Sequence, residues 1–131
     1  MPAESANSGD SVASNDSVVA DLHAHTTVSD GILTLDEVPA AAREAGVDWM
    51  AVTDHDRIHP GLDAPVVERD GVRIVRGIEL RVDAGFERLD LLGYGVERTD
   101  ALDAEIERLQ RDRRERGAAM LDRVEERLGT D

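Results

Sequence analysis

The chain has 131 residues, 29 acidic against 15 basic, and a net charge of −14; every basic residue is arginine and there is no cysteine. That length suits one domain with a real core, no run reaches the roughly 18 apolar residues of a membrane helix, and a disulfide framework or cysteine-based zinc site is excluded. The acidity repels nucleic acid phosphates over the general surface, so nucleotide chemistry would need local cations.

Residues 1–16 are polar and lack both a basic and an apolar segment, so they read as a disordered tail with no secretory signal. The location expected is cytoplasmic. High acidity without lysine reads as adaptation to a salt-saturated cytoplasm, where dense salt screens self-repulsion. A GC-rich genome is the other source of arginine, and stability that rises with KCl is the expected sign of halophily.

The first predicted strand is SVVADL, residues 17–22. Thr34 to Glu37 fits a capping box opening a helix that stops at Gly46, with Pro39 late enough to make its start irregular. Strands follow at 47–53, 72–75 and 88–93, while 57–71 is ambiguous. Strand, helix, strand with short connections predicts an α/β fold with a largely parallel sheet.

The last third, about 100–128, is helical by the recurrence of Leu102, Ile106, Leu109, Met120, Leu121, Val124 and Leu128, with Gly117 weakening its middle. Pairs Glu107–Arg111 and Asp112–Arg116 have the favoured i,i+4 order. The run Arg108, Arg111, Arg113, Arg114 and Arg116 reads as a solvated face laced with ion pairs, since acids are interleaved; phosphate binding is its other reading.

Three of the four histidines fall where strands end. His23 and His25 stand two apart, a spacing that presents two imidazoles to one side of a strand. His55 follows the second strand, Asp30 lies on the loop between, and Gly77-Ile78-Glu79 marks a third strand end. Loops at the carboxyl ends of parallel strands converge on one site, and imidazole with carboxylate suits Zn²⁺, Mn²⁺ or Fe²⁺. Asp21, Asp54 and Asp56 flank these positions and are candidates to orient the ligands. His59 fits no such place and reads as a loop histidine. No phosphate-binding glycine loop, serine elbow or cysteine nucleophile occurs.

The blocks DLHAHTTVSDG (21–31), AVTDHD (51–56) and RGIEL (76–80) resemble the PHP superfamily of polymerase and histidinol phosphatase domains, over about residues 17–128. The long arginine-rich helix after LLGYG is most similar to its nucleotide phosphatase and 5′-to-3′ exonuclease branch. The resemblance implies a distorted β/α barrel with up to three divalent metal ions that hydrolyses phosphoesters, such as a phosphorylated small molecule, a nucleotide or a short nucleic acid 5′ end. It implies His23 and His25 on one metal, Glu79 bridging to a second, and Asp30 and His55 on a third, with Asp30, His55 and Glu79 at the catalytic centre. Asp90 stands where the family carries a histidine ligand, and a late Asp-x-His is missing. A full barrel needs at least about 200 residues, so residues 17–131 read as a partial barrel: a ligand region at 17–98 and a helical segment at 99–128.

The rivals are an amidohydrolase, which would be expected to carry a lysine that this chain lacks; a non-catalytic PHP module; and a half-barrel closed by a second copy or another chain.

Overall fold

The computed structural model describes residues 17–129; the tail assigned to 1–16 lies outside them. Five strands and two helices follow one another as β1 (Ala20–Ala24), α1 (Val38–Glu44), β2 (Trp49–Val52), β3 (Val66–Arg69), β4 (Val72–Asp83), β5 (Arg88–Tyr94) and α2 (Asp100–Leu128). A 3₁₀ turn, Leu35–Glu37, leads into α1. Pro39 near the start of α1 offers no N–H, and the tighter turn before it absorbs the irregularity. The Glu37 carboxylate accepts the Thr34 backbone N–H at 2.9 Å. Gly46 closes the end of α1 at φ +75°, a left-handed conformation that favours glycine.

The sheet is mixed rather than largely parallel. β1 pairs β2, and β2 pairs β4, in parallel; β3 and β5 both run antiparallel to β4. The ambiguous stretch 57–71 supplies β3, which returns into β4 through a tight turn at Asp70 and Gly71, both at positive φ. β4 is the spine. Its first half lies between β2 and β3; its second half pairs β5 over Gly77 to Asp83 and bonds to residues just past β2 on its other edge. Strand β4 thus continues through Glu79, where the sequence suggested an end.

Alternation along β4 divides its two faces. Val72, Ile74 and Ile78 point to one side. Val72 and Ile74 join Leu35, Val38, Ala42, Met50, Val52 and Leu62 in one apolar cluster, and Ile78 joins Ile58 and Ile106 in a second. Arg76 shares that face and is 4% exposed. Its guanidinium donates to the Val96 carbonyl at 2.7 and 3.0 Å and to the Leu62 carbonyl at 3.2 Å. It therefore ties the loop before β3 to the lead-in of α2. Glu79 points to the other face.

Helix α2 runs unbroken through Gly117, where an added Cβ would meet open space. Thr99 caps it by accepting the Leu102 N–H at 3.1 Å. Only its first half packs: Ile106 is buried, whereas Met120, Leu121, Val124 and Leu128 are all more than half exposed. The expected pairs Glu107–Arg111 and Asp112–Arg116 do not form. Arg108 instead holds Glu105 and Asp112, the latter at 3.0 Å, because one guanidinium spans both turns. Among the described residues no helix is long and apolar enough to cross a membrane.

A candidate metal centre on one face of the sheet

A bulge in β1 sets the phase of the site. Asp21 pairs Met50 and Ala24 pairs Val52, so β1 spends one residue more than β2 over this span. After the bulge His23 and His25 fall on the face of the sheet that Glu79 occupies. Asp21, before it, is out of phase: its carboxylate accepts the His23 backbone N–H at 3.1 Å and reaches no imidazole.

Glu79 is the hub. It is 3% exposed, and its Oε1 lies 2.9 Å from His23 Nε2, 2.8 Å from His25 Nε2 and 3.7 Å from His55 Nδ1. It is fixed by the backbone: its N–H donates to the Asp54 carbonyl and its carbonyl accepts the Asp56 N–H, both at 2.9 Å. Asp30 bridges from above, with Oδ1 2.6 Å from His25 Nδ1 and Oδ2 3.1 Å from His55 Nε2. The His25 and His55 rings stand edge to face at 4.3 Å.

The electrostatics follow from this packing. Burial opposes charge on His25, but hydrogen bonds to Glu79 and Asp30 outweigh it and raise its pKa. Burial pushes the Glu79 carboxyl up, yet its bonds to His23 and His25 hold it below its usual range. Desolvation pushes the Asp30 carboxyl up, but its contacts with His25 and His55 together outweigh it and lower its pKa.

Two donor sets result, His23–His25–Glu79 and His25–Asp30–His55, each with ligand atoms within 4.8 Å of one another. They share His25, which as a neutral imidazole has one nitrogen free to ligate and one N–H to donate. Nitrogen and carboxylate oxygen donors converging from three chain segments fit a borderline dication such as Zn²⁺, Mn²⁺ or Fe²⁺.

Asp90 stands apart. It pairs Arg81 across β4 and β5, and its carboxylate is held at 3.0 Å by that guanidinium, which lowers its pKa. It belongs to neither donor set. His59 also lies outside both; its Nδ1 accepts the Gly61 N–H at 2.9 Å.

The loop that delivers Asp30 is built on a buried acid. Asp54 is fully buried and accepts the Thr26 N–H at 2.7 Å, the Thr26 hydroxyl at 2.9 Å and the Ser29 hydroxyl at 2.6 Å. It orients the segment between His25 and Asp30 and touches neither. Gly31 then brings the chain back so closely that a Cβ there would lie 2.0 Å from the His25 carbonyl oxygen. Asp56, at φ +51°, holds Arg113 through Oδ2 at 2.6 Å, and its carbonyl accepts from Gln110 at 2.8 Å. It anchors α2 beside the site and orients no imidazole.

Thr26, Ser29 and Tyr94 are neighbours of the site that the sequence did not single out, and Arg113 was named only within the arginine run. Tyr94 donates to the Leu22 carbonyl at 2.7 Å, tying β5 to β1 across the face that carries Glu79. The hydroxyls sit inside the block that carries the histidines, so their nearness in sequence was the available signal. Arg113 gave none beyond its place in a run of arginines.

Residues 21–125 match the family model for the PHP domain. The chain belongs to the PHP domain family. It is 42% identical over 85 residues to a phosphoribosyl 1,2-cyclic phosphate 1,2-diphosphodiesterase of Eggerthella lenta, covering 61% of this chain and 32% of that protein. It is 31% identical over 112 residues to the 5′-3′ exoribonuclease Rnm of Escherichia coli K12, covering 82% and 38%. It is 34% identical over 103 residues to a 3′,5′-nucleoside bisphosphate phosphatase of Chromobacterium violaceum, covering 76% and 36%. The chain spans about a third of the length of these curated relatives.

Proposed function

We propose that this PHP chain carries the metal-holding part of a metal-dependent phosphoesterase that acts on phosphomonoesters or on nucleotide and oligonucleotide 5′ ends. The observation that carries the reading is the pair of donor sets fused at His25, with Glu79 seated under one and Asp30 clasping the other. In this reading His23, His25 and Glu79 would hold one ion, and Asp30 and His55 would face a second. A bound dication supplies a hydroxide available near neutral pH and a Lewis acid for developing phosphoryl charge. Glu79, fixed by two backbone hydrogen bonds, sets the depth at which the ligands meet. Asp54 keeps the Asp30 loop closed, and Asp30 aims both His25 and His55. Asp90, occupied by Arg81, contributes little to metal retention.

The mixed sheet is consistent with part of a distorted barrel. A second reading, closure by a second copy or another polypeptide, is favoured by Leu89 and Leu91, which leave apolar side chains exposed on β5. Size analysis by light scattering tests it, and a lone monomer at high concentration speaks against a second copy.

The deciding experiment is metal retention. Purified chain is loaded with Mn²⁺ or Zn²⁺, desalted and analysed for bound ion, alongside hydrolysis of p-nitrophenyl phosphate. The chain is expected to retain ion, Glu79→Gln to lose most of it, His23→Asn to weaken it, and Asp90→Asn to leave it near the parent value. No ion retained by the parent chain would overturn the reading.

A further inference from the structure

Past Leu80 the β4–β5 hairpin is solvated on both faces. Every residue from Arg81 to Leu91 is exposed, in a ribbon only two strands wide. Such a ribbon is marginal in water, and further strands with an apolar face are what make it stable. Its outer edge is open: among the described residues β5 pairs β4 alone. The Ala84 N–H donates to the Glu87 carbonyl, and the Glu79 N–H turns away from β5 to the Asp54 carbonyl. The alternation of an antiparallel pair therefore points the backbone groups of Arg88, Asp90 and Leu92 outward, where another strand can take them.

The side chains along this edge lack partners of two kinds. Phe86, Leu89, Leu91 and Val82 are exposed apolar groups, Phe86 at 84%. Arg88 has no ion pair among the described residues. A second β5 laid antiparallel along the edge, about a two-fold axis at Leu89, supplies both. Arg88 comes opposite Asp90 of the second copy and Asp90 opposite its Arg88, in hydrogen-bonded positions. With their β4 partners the charges then alternate across four strands: Asp83, Arg88, Asp90, Arg81. On the other face the two Leu89 side chains meet, flanked by the two Val82 that pair them. Phe86 comes opposite Leu92 of the second copy. Other registers fail. An axis at Asp90 sets carboxylate against carboxylate, one at Arg88 sets guanidinium against guanidinium, and one at Leu91 sets Asp90 against Leu92. A shift by a single residue turns the outward backbone groups away from each other.

We propose that the open edge of β5 is an interface between two copies of this chain, whose β4–β5 hairpins join as a four-stranded antiparallel ribbon about Leu89. The proposal rests on the second-copy alternative above, to which it gives a strand, an axis and a register, and it is independent of the phosphoesterase reading. The contact is small, so the dimer is weak and depends on concentration.

Sedimentation velocity on the full chain over a concentration series measures the dimer constant. Leu89→Lys, which sets two ammonium groups on the axis, is expected to weaken the dimer about tenfold or more. Arg88→Asp and Asp90→Arg should each do the same, because like charges then face each other across the edge. An equimolar mixture of these two variants should dimerise again, since each copy restores the sign the other lost. The chain has no cysteine, so a single one reads the axis directly. Opposite residues of a non-hydrogen-bonded pair have Cα atoms about 4.5 Å apart, within disulfide reach. Leu89→Cys should therefore cross-link on mild oxidation, whereas Leu91→Cys, whose two copies would stand about 14 Å apart, should not. A dimer that fails to cross-link through Leu89→Cys, or that ignores the charge exchange, overturns this pairing and leaves second-copy closure standing. A chain still monomeric at about 1 mM overturns both and leaves the edge to a different polypeptide.

Discussion

Replacing Gly31 by alanine adds one methyl group at a place where no side chain fits. The new Cβ would lie 2.0 Å from the His25 carbonyl oxygen, 2.4 Å from its carbonyl carbon and 2.8 Å from the Thr26 nitrogen. All three are backbone atoms, so no flexible side chain can swing aside. Relief requires the chain at 30–31 and the chain at 25–26 to part by at least about 1 Å, overpacking that costs about 1–3 kcal/mol. The parting acts where Asp30 reaches His25 at 2.6 Å and His55 at 3.1 Å, and where the Gly31 N–H meets the Thr26 carbonyl at 2.8 Å. A shift of that size breaks at least one of these bonds. Since the φ of Gly31 lies outside the left-handed region, contact is the whole effect and backbone strain adds nothing. Urea denaturation should show a loss of about 2 kcal/mol in Gly31→Ala. Competition with a chelator should show Mn²⁺ or Zn²⁺ held at least tenfold more weakly, the usual scale when a ligand's support is removed. Stability within about 0.5 kcal/mol of the parent, the range of an ordinary surface change, would refute the close approach on which the argument rests.

Asp54→Ala should cost at least about 3 kcal/mol, because three donors on Thr26 and Ser29 lose their acceptor inside the protein; Asp54→Asn, which keeps one acceptor oxygen, should cost far less, and equal midpoints in urea would contradict this. Arg76→Lys should destabilise by about 2 kcal/mol, since one ammonium cannot span the Val96 and Leu62 carbonyls as the guanidinium does; a thermal melt matching the parent would count against it. His59 is held neutral by burial, with Arg69 adding to the effect and Asp54 opposing it, so its folded pKa lies below the ordinary value. The unfolded chain therefore binds this proton more readily, and stability falls as pH drops from about 6.5 through the folded value. His59→Asn, which can still accept the Gly61 N–H, should flatten that decline; identical stability–pH curves would show that His59 does not contribute.

The donor residues were legible because the chemistry and the spacing coincide. His23 and His25 are two apart at a strand end, and Asp30, His55 and Glu79 fall in short blocks of similar composition. Their phase was less legible. The parity that puts His23 and His25 over Glu79 depends on the β1 bulge, which rests on pairing with β2 rather than on local sequence, and it sets Asp21 out of phase with them. Asp90 lies on the face of Glu79, and the register of β5 sets it opposite Arg81, whose guanidinium holds its carboxylate. Strand β3 was hidden because VVER is short and its partner β4 was read as ending early, so nothing marked the return. The arginines of α2 divided by helical phase. Gln110 and Arg113, three apart, turn toward Asp56.

The position of Glu79 within β4 also bears on how the centre assembles. Hydrogen bonds along the β5 edge of β4 continue past this residue, and its own amide donates to the Asp54 carbonyl on the other edge, so that amide should exchange with solvent only through large-scale opening. His23 rides on β1 at the margin of the sheet with half its side chain exposed, and its surroundings should open far more often. The two ends of one donor set thus belong to regions of different protection. The carboxylate is a standing template, and the outer imidazole is a visitor that docks on it. Ion capture would begin on Glu79 and His25 and finish when His23 arrives, so loss of a bound ion should keep pace with the breathing of β1.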